Sequence, residues 1–280
     1  MLLAIDVGNT KVAIGVFEGD RLRATWRVAT DTDNLADEYA VLLLGLLAQE
    51  RINLADIKAA ILCSVVPSLV PIFEELCQKY FKIAPLVVGA GIKTGVRICM
   101  DNPREVGADR VVNAMAAHRM YGGPLIVIDL GTATTFDVVS KDGDYLGGAI
   151  APGVGIAAEA LYKNTAKLPQ VELVRPRHAI GKNTVSAMQS GIVFGYVGLV
   201  EGIVARIKQE LGGSAKVIAT GGLAELIARE TKVIEKIAPD LTLVGLKLVY
   251  EINQANPAQP AADSEKKHAQ GQEDCAGGNR

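Results

Sequence analysis

The sequence predicts an α/β protein of two related halves, each a mixed sheet flanked by helices, with a cleft between them. Three observations predict it. The segment Leu3-Ala4-Ile5-Asp6-Val7-Gly8-Asn9-Thr10 recurs, recast, as Ile126-Val127-Ile128-Asp129-Leu130-Gly131-Thr132-Ala133. After each copy comes a second apolar run and a polar turn, Glu18-Gly19-Asp20 in one and Lys141-Asp142-Gly143-Asp144 in the other. The 280 residues are 49% hydrophobic but only 5% aromatic, a mixture rich in Ala, Val, Leu, Ile and Gly that suits buried strands under closely packed helices. Asp and Gly are ordinary turn residues, and a shared Asp-x-Gly alone would mean two unrelated hairpins. The matched flanking runs and matched second turns favour a repeat.

The elements follow in order. Leu2–Asp6 and Val12–Phe17 read as strands about the first turn, with Leu22–Val28 a third. Asn34 can cap a helix through Gln49, with Asp37 and Glu38 in its acidic first turn. Ala59–Cys63 is a short buried strand, and Leu69 to Phe81 a helix. A loop at Gly89–Gly95 leads to Asp101-Asn102-Pro103, which starts a helix through His118. Gly122-Gly123-Pro124 breaks the chain, so the halves are placed at 1–121 and 122–254. The second half has strands at Leu125–Asp129, Thr134–Val139 and Tyr145–Ile150, then a helix begun by Ala151-Pro152-Gly153-Val154-Gly155. A long helical run extends from Asn183 and Thr184 to about Leu211. Val217–Ala219 is a strand ending in Thr220-Gly221-Gly222 with a helix after it, and Leu241–Ile252 is the last amphipathic helix. The polar stretch over 255–280 reads as a disordered tail.

Composition narrows the function. The net charge is −2 with no basic block, so neither nucleic acid nor an anionic membrane is indicated. Met1-Leu2-Leu3-Ala4-Ile5 meets Asp6 too early to form a signal-peptide core. The apolar stretch Val41 to Ala48 is far too short to span a bilayer. Cys63, Cys77, Cys99 and Cys275 have no CxxC spacing and read as free thiols of a reducing compartment. The expectation is a soluble, cytoplasmic protein.

No GxxxxGK[ST] loop occurs; Gly181-Lys182-Asn183-Thr184 lacks the upstream Gly and follows no apolar strand. The Gly89-Ala90-Gly91 string misses the dinucleotide fingerprint, its third Gly falling one place late. His118, His178 and His268 are scattered, which supports neither a zinc site nor a histidine triad. What remains is a phosphate site made of two hairpin turns. Asp6 and Asp129 end their strands where they could organise cations, and Gly8 and Gly131 allow close backbone approach. Asn9, Thr10 and Thr132 can donate to phosphoryl oxygens. Thr220-Gly221-Gly222, at a strand-to-helix turn, suits the nucleoside end, although such turns are also common without that role. Asn102-Pro103-Arg104-Glu105-Val106-Gly107-Ala108-Asp109-Arg110 puts an Asp and an Arg beside a Gly at a helix start. It reads either as an exposed ion-paired face or as a carboxylate that accepts a proton from a substrate hydroxyl.

Taken together, Asp6-Val7-Gly8-Asn9-Thr10, Asn102-Pro103 with Gly107-Ala108-Asp109-Arg110, Asp129-Leu130-Gly131-Thr132-Ala133-Thr134-Thr135, Gly181-Lys182-Asn183-Thr184 and Ala219-Thr220-Gly221-Gly222 resemble, in order, the motifs of type III pantothenate kinases. That family lies in the acetate and sugar kinase, Hsp70 and actin superfamily, and the resemblance runs from Met1 to about Asn253. It implies duplicated actin-like (ribonuclease H-like) halves about an ATP cleft, and ATP-dependent phosphorylation of pantothenate in the first step of coenzyme A synthesis. It further implies that Asp6, Val7, Gly8, Asn9, Thr10, Lys11, Gly131, Thr132, Thr220, Gly221 and Gly222 bind ATP. On the same basis Asp129 binds a monovalent cation (K⁺ or NH₄⁺), and Mg²⁺ rides on the phosphates. Met100, Gly107, Ala108, Asp109, Arg110 and Thr184 bind pantothenate, Asp109 is the proton acceptor, and Thr184 reaches across a homodimer interface. The family commonly has Tyr where this chain has Met100, which fills apolar space but supplies no hydroxyl. Lys11 reads equally well as a solvated strand residue. The fold and the phosphate turns alone do not name the acceptor, so another small-molecule kinase, or a nucleotide-binding regulator, are the alternative functions.

Overall fold

The computed structural model describes residues 1–255. The expected tail lies outside the described residues, apart from Ala255, which ends the last helix. The described residues form two compact units: Met1–Ala116 with 242–255, and Ala117–Leu241.

In the first unit, β1 (Leu2–Val7), β2 (Lys11–Glu18), β3 (Arg21–Ala29), β4 (Ala59–Ser64) and β5 (Leu86–Val87) form one sheet in the order β3-β2-β1-β4-β5. β1 is apolar almost throughout because it is central, antiparallel to β2 and parallel to β4. Alternation sends Leu3, Ile5 and Val7 toward α1 (Ala36–Gln49) and α2 (Val70–Leu76), where Leu43, Leu47 and Phe73 complete a core. Leu2 and Ala4 face the other way, with Phe17, Val112 of α3 (Ala108–Tyr121) and Leu243, Leu246 and Val249 of α7 (Leu241–Ala255). Asp6 has the parity of Leu2 and Ala4 and belongs to this second face.

In the second unit, β6 (Leu125–Leu130), β7 (Ala133–Val139), β8 (Tyr145–Pro152), β9 (Lys216–Thr220) and β10 (Lys236–Ile237) take the order β10-β9-β6-β7-β8. This is the first sheet's order over again. Asp6 pairs with Ala13 of β2 and Cys63 of β4; Asp129 pairs with Thr135 of β7 and Thr220 of β9. The two aspartates are therefore equivalent in register, as expected of duplicated actin-like halves. Ile126, Ile128 and Leu130 face Ile192, Tyr196 and Val200 of α5 (Thr184–Glu210), while α4 (Val154–Lys163) and α6 (Ala224–Ala228) add Val154, Ala224 and Ile227.

Several local expectations are corrected. The last helix, expected in the second half, packs in the first unit. Gly245 lets it approach α3 closely: an added Cβ there would come 2.5 Å from Val112 Cγ1 and 2.6 Å from the Val112 carbonyl oxygen. Lys247, buried on the same helix, donates to Asp20 Oδ1 and Glu251 Oε1 at 2.6 Å each. Helix α1 is preceded by Leu35 rather than capped by Asn34, and the Leu35 N–H donates to Glu38 Oε2 at 2.8 Å. The helix expected to end at Phe81 closes as a π-turn, Cys77–Phe81, with Lys82 left-handed at φ 59°. Among the described residues, helix α5 is the one helix long and apolar enough, by length and composition, to cross a membrane, with mean hydropathy 1.5. Of the cysteines, Cys63 and Cys77 are buried free thiols.

Candidate active site

The first turn joins β1 to β2. The Gly8 N–H donates to the Lys11 carbonyl at 3.0 Å, and Asn9, Thr10 and Lys11 are exposed. Val7, paired with Val12, is fully buried and anchors the turn. Thr30, at the end of β3, clasps it from outside: its Oγ1 donates to the Gly8 carbonyl at 2.7 Å and its N–H to the Thr10 carbonyl at 3.0 Å. The second turn is one residue shorter, with the Gly131 N–H donating to the Ala133 carbonyl at 3.1 Å and Gly131 and Thr132 exposed. Both turns present short, bare backbone and hydroxyls beside a half-buried aspartate, an arrangement suited to anionic oxygen and its counter-ion.

Asp109 sits in the first turn of α3, two residues after Gly107. Its Oδ1 accepts the Arg110 N–H at 2.8 Å, which folds the carboxylate back toward the helix start. An added Cβ at Gly107 would lie 2.5 Å from that oxygen, so the glycine leaves room for the carboxylate. Ala108 begins the helix, Arg110 is half-buried, and Asn102 Nδ2 donates to Glu105 Oε1 at 2.6 Å in the preceding turn. Met100 is half-buried just before this turn.

Asp6 and Asp109, 103 positions apart in the chain, both act on the charge of the buried Cys63 thiol. Burial raises the pKa of that thiol well above its ordinary value, and the Asp6 and Asp109 carboxylates push it the same way. The sequence alone places Cys63 in a buried strand as a free thiol. Its parallel pairing puts it beside Asp6, a position no local motif announces.

In the second unit, Thr220 is buried at the end of β9, and Gly221 follows at φ +95°. An added Cβ at Gly221 would come 2.6 Å from Asp129 Oδ1, and one at Gly131 would come 3.3 Å from the same oxygen. The Leu223 N–H donates to the Leu130 carbonyl at 3.4 Å, joining the two turns. Gly222 is exposed. Asp129, Gly131 and the Gly221 turn thus form one group. Thr184 stands apart from it, at the first position of α5, where Asn183 caps the helix by accepting the Ser186 N–H at 2.9 Å. It lines an open cavity of about 570 Å³ with Gly181, Lys182, Leu161, Leu168 and Met188.

Among the described residues no cluster of three or more His, Cys, Asp or Glu could hold a metal ion. His118 hydrogen-bonds the Lys141 carbonyl at 3.0 Å, a packing role.

These features define a fold class, duplicated actin-like halves, each a mixed sheet flanked by helices. The chain is similar in fold to a protein described as a Baf family transcriptional activator from Campylobacter jejuni, at TM-score 0.57 and 18% identity over 90% of this chain and 99% of that one. It is likewise similar to a 2-dehydro-3-deoxygalactonokinase protein from Sinorhizobium meliloti, at TM-score 0.56 and 14% identity over 94% and 99%. A model of the type III pantothenate kinase family matches residues 2–206. Relatives named type III pantothenate kinase include one from Dehalococcoides mccartyi, 56% identical over 91% of this chain and 98% of its own length. Another, from Moorella thermoacetica, is 54% identical over 90% and 100%. The chain belongs to the type III pantothenate kinase family.

Proposed function

We propose that the protein transfers the γ-phosphoryl group of ATP to the primary hydroxyl of pantothenate, giving 4'-phosphopantothenate at the start of coenzyme A synthesis. Family membership carries the substrate. The observation that supports the chemistry is the Asp109 carboxylate at the start of α3, its Oδ1 fixed by the Arg110 N–H and given room by Gly107. In this reading Asp109 orients the pantothenate hydroxyl and accepts its proton as the phosphoryl group moves in line. The Asp6–Lys11 turn and the Gly131–Thr132 turn hold phosphate oxygens through backbone N–H groups, Asn9, Thr10 and Thr132, and Thr220-Gly221-Gly222 receives the adenosine. Lys11 is the weakest member, exposed at the head of its strand. Gly107, Ala108 and Arg110 take the acceptor, with Met100 as an apolar wall.

The residues present fit the cations the family implies. Asp129 offers an oxygen ligand beside exposed Thr132 and half-buried Thr135, a hard-oxygen environment suited to K⁺ or NH₄⁺. With no dense carboxylate cage among the described residues, Mg²⁺ is carried on the phosphates. The two cations supply neutralisation of phosphate charge; the chain's own residues supply position and the proton acceptor.

A homodimer is part of the same reading. On α5, Gly191, Gly195 and Gly198 are exposed on the face away from the core, and exposed Ile156, Leu161, Tyr162, Ile180 and Val185 lie on neighbouring segments and at the helix start. That apolar surface, with Thr184 at its edge, suits a second copy rather than a bilayer or nucleic acid, in keeping with a cytoplasmic enzyme. The experiment that tests the function is product analysis with ATP, Mg²⁺ and pantothenate. Phosphopantothenate supports it, whereas bound ATP without product moves the assignment to another acceptor.

A further inference from the structure

Gly221 belongs to the turn assigned above to adenosine, yet its nearest neighbours are those of the second phosphate turn. It adopts φ +95°, and a Cβ built on it would stand 2.6 Å from Asp129 Oδ1, 2.6 Å from the Leu130 carbonyl carbon and 2.7 Å from the Leu130 nitrogen. Real Cβ–oxygen contacts are seldom shorter than about 3.3 Å, so the bare backbone of Gly221 occupies the one place that lets the carboxylate lie where it does. A Cβ built on Gly131 would stand 3.3 Å from the same oxygen. Two links hold this arrangement rigid: Thr220 is the parallel-strand partner of Asp129, and the Leu223 N–H reaches the Leu130 carbonyl. The carboxylate therefore lies against two turns from distant parts of the chain.

We infer that Gly221 is a positioning residue for Asp129, and that the β9–α6 turn sets the strength of monovalent-cation binding as well as receiving the nucleoside. The inference rests on Asp129 being the cation ligand. Oxygen ligands must be held to about 0.5 Å for full effect, and the shift a methyl group at Gly221 would impose on the carboxylate is at least that large. A glycine present only for adenosine would affect ATP binding and leave the cation response alone.

The test compares wild type with Gly221→Ala, Asp129→Asn and Gly131→Ala. Two quantities are read: the K⁺ concentration at half-maximal initial rate, and the K⁺-dependent rise in melting temperature with a non-hydrolysable ATP analogue bound, against Na⁺. Gly221→Ala is expected to raise the K⁺ requirement by about tenfold or more, the scale seen when a ligand's supporting partner is lost, and to flatten the melting response. Gly131→Ala, which meets the oxygen less closely and carries no positive φ, should move both in the same direction by a smaller factor. An unchanged K⁺ requirement in Gly221→Ala, with Asp129→Asn having lost the response, overturns the role of Gly221 and leaves the Asp129 site standing. A full K⁺ response in Asp129→Asn overturns the cation site itself and the inference with it. If Gly221→Ala does not fold, Gly131→Ala decides: a raised K⁺ requirement supports the positioned carboxylate, and an unmoved one refutes it.

Discussion

Asp109 Oδ1 occupies the space a side chain on Gly107 would need, 2.5 Å from where its Cβ would stand, and is held there by the Arg110 N–H at 2.8 Å. The carboxylate read as the proton acceptor therefore has its direction set by a neighbour with no side chain. Gly107→Ala should push the carboxylate out of this place without unfolding the helix, because the obstructing atom is the mobile end of a side chain. The expected result is a fall in kcat of about tenfold or more with a melting temperature within a few degrees of wild type. Steady-state kinetics beside calorimetry checks it; unchanged kcat would contradict the positioning role.

Asp109→Asn keeps the shape and removes the acceptor. A general base contributes about 10²–10⁴-fold, so kcat should fall within that range. ATP affinity, measured by calorimetric titration, should change by less than about twofold, as the phosphate turns are untouched.

Thr184→Ala should raise the KM for pantothenate several-fold and leave that for ATP unchanged, since Thr184 lines a cavity that includes none of the phosphate-turn residues. Asn183→Ala should act on stability as well, because the Asn183 side chain accepts the Ser186 N–H at the start of α5. Loss of such a cap costs about 1 kcal/mol, read as a lower denaturant midpoint. Equal effects of Thr184→Ala on both KM values would contradict the separation of the two sites.

How much of this was legible in the sequence depended on the range of the signal. The duplicated turns were legible because each is a contiguous string, and the two sheets repeat one strand order. The return of α7 to the first unit was not, because amphipathicity marks a helix's buried face without naming what covers it. Edge strands β5 and β10 have two residues each, too few for any periodicity. Asn34 looked like a cap, but the helix begins after Leu35, where Glu38 satisfies the backbone instead. The pairing of Asp6 with Cys63, and the placement of Gly221 against Asp129, depend on long-range contacts that no local pattern encodes.

The buried thiols make stability depend on alkaline pH. Burial, reinforced by Glu74, pushes Cys77 from its ordinary 9.0 up to about 12, and Cys63 is also raised well above its usual value. As pH rises above 9 the unfolded chain loses these protons while the folded chain keeps them, so the folded state loses stability. The loss is about 1.4 kcal/mol per pH unit per thiol and, for Cys77, continues until pH approaches 12. Denaturant unfolding between pH 8 and 11 should show this decline, and Cys77→Ala should make it shallower. An identical slope in the variant would contradict the assignment.

The central claim, that this chain phosphorylates pantothenate with the help of a monovalent cation at Asp129, is tested most directly by mass spectrometry of purified protein with ATP, Mg²⁺ and pantothenate, in K⁺ and in Na⁺. Phosphopantothenate forming in K⁺ and falling away in Na⁺ is the expected result. ATP bound in both salts with no phosphopantothenate in either would contradict it.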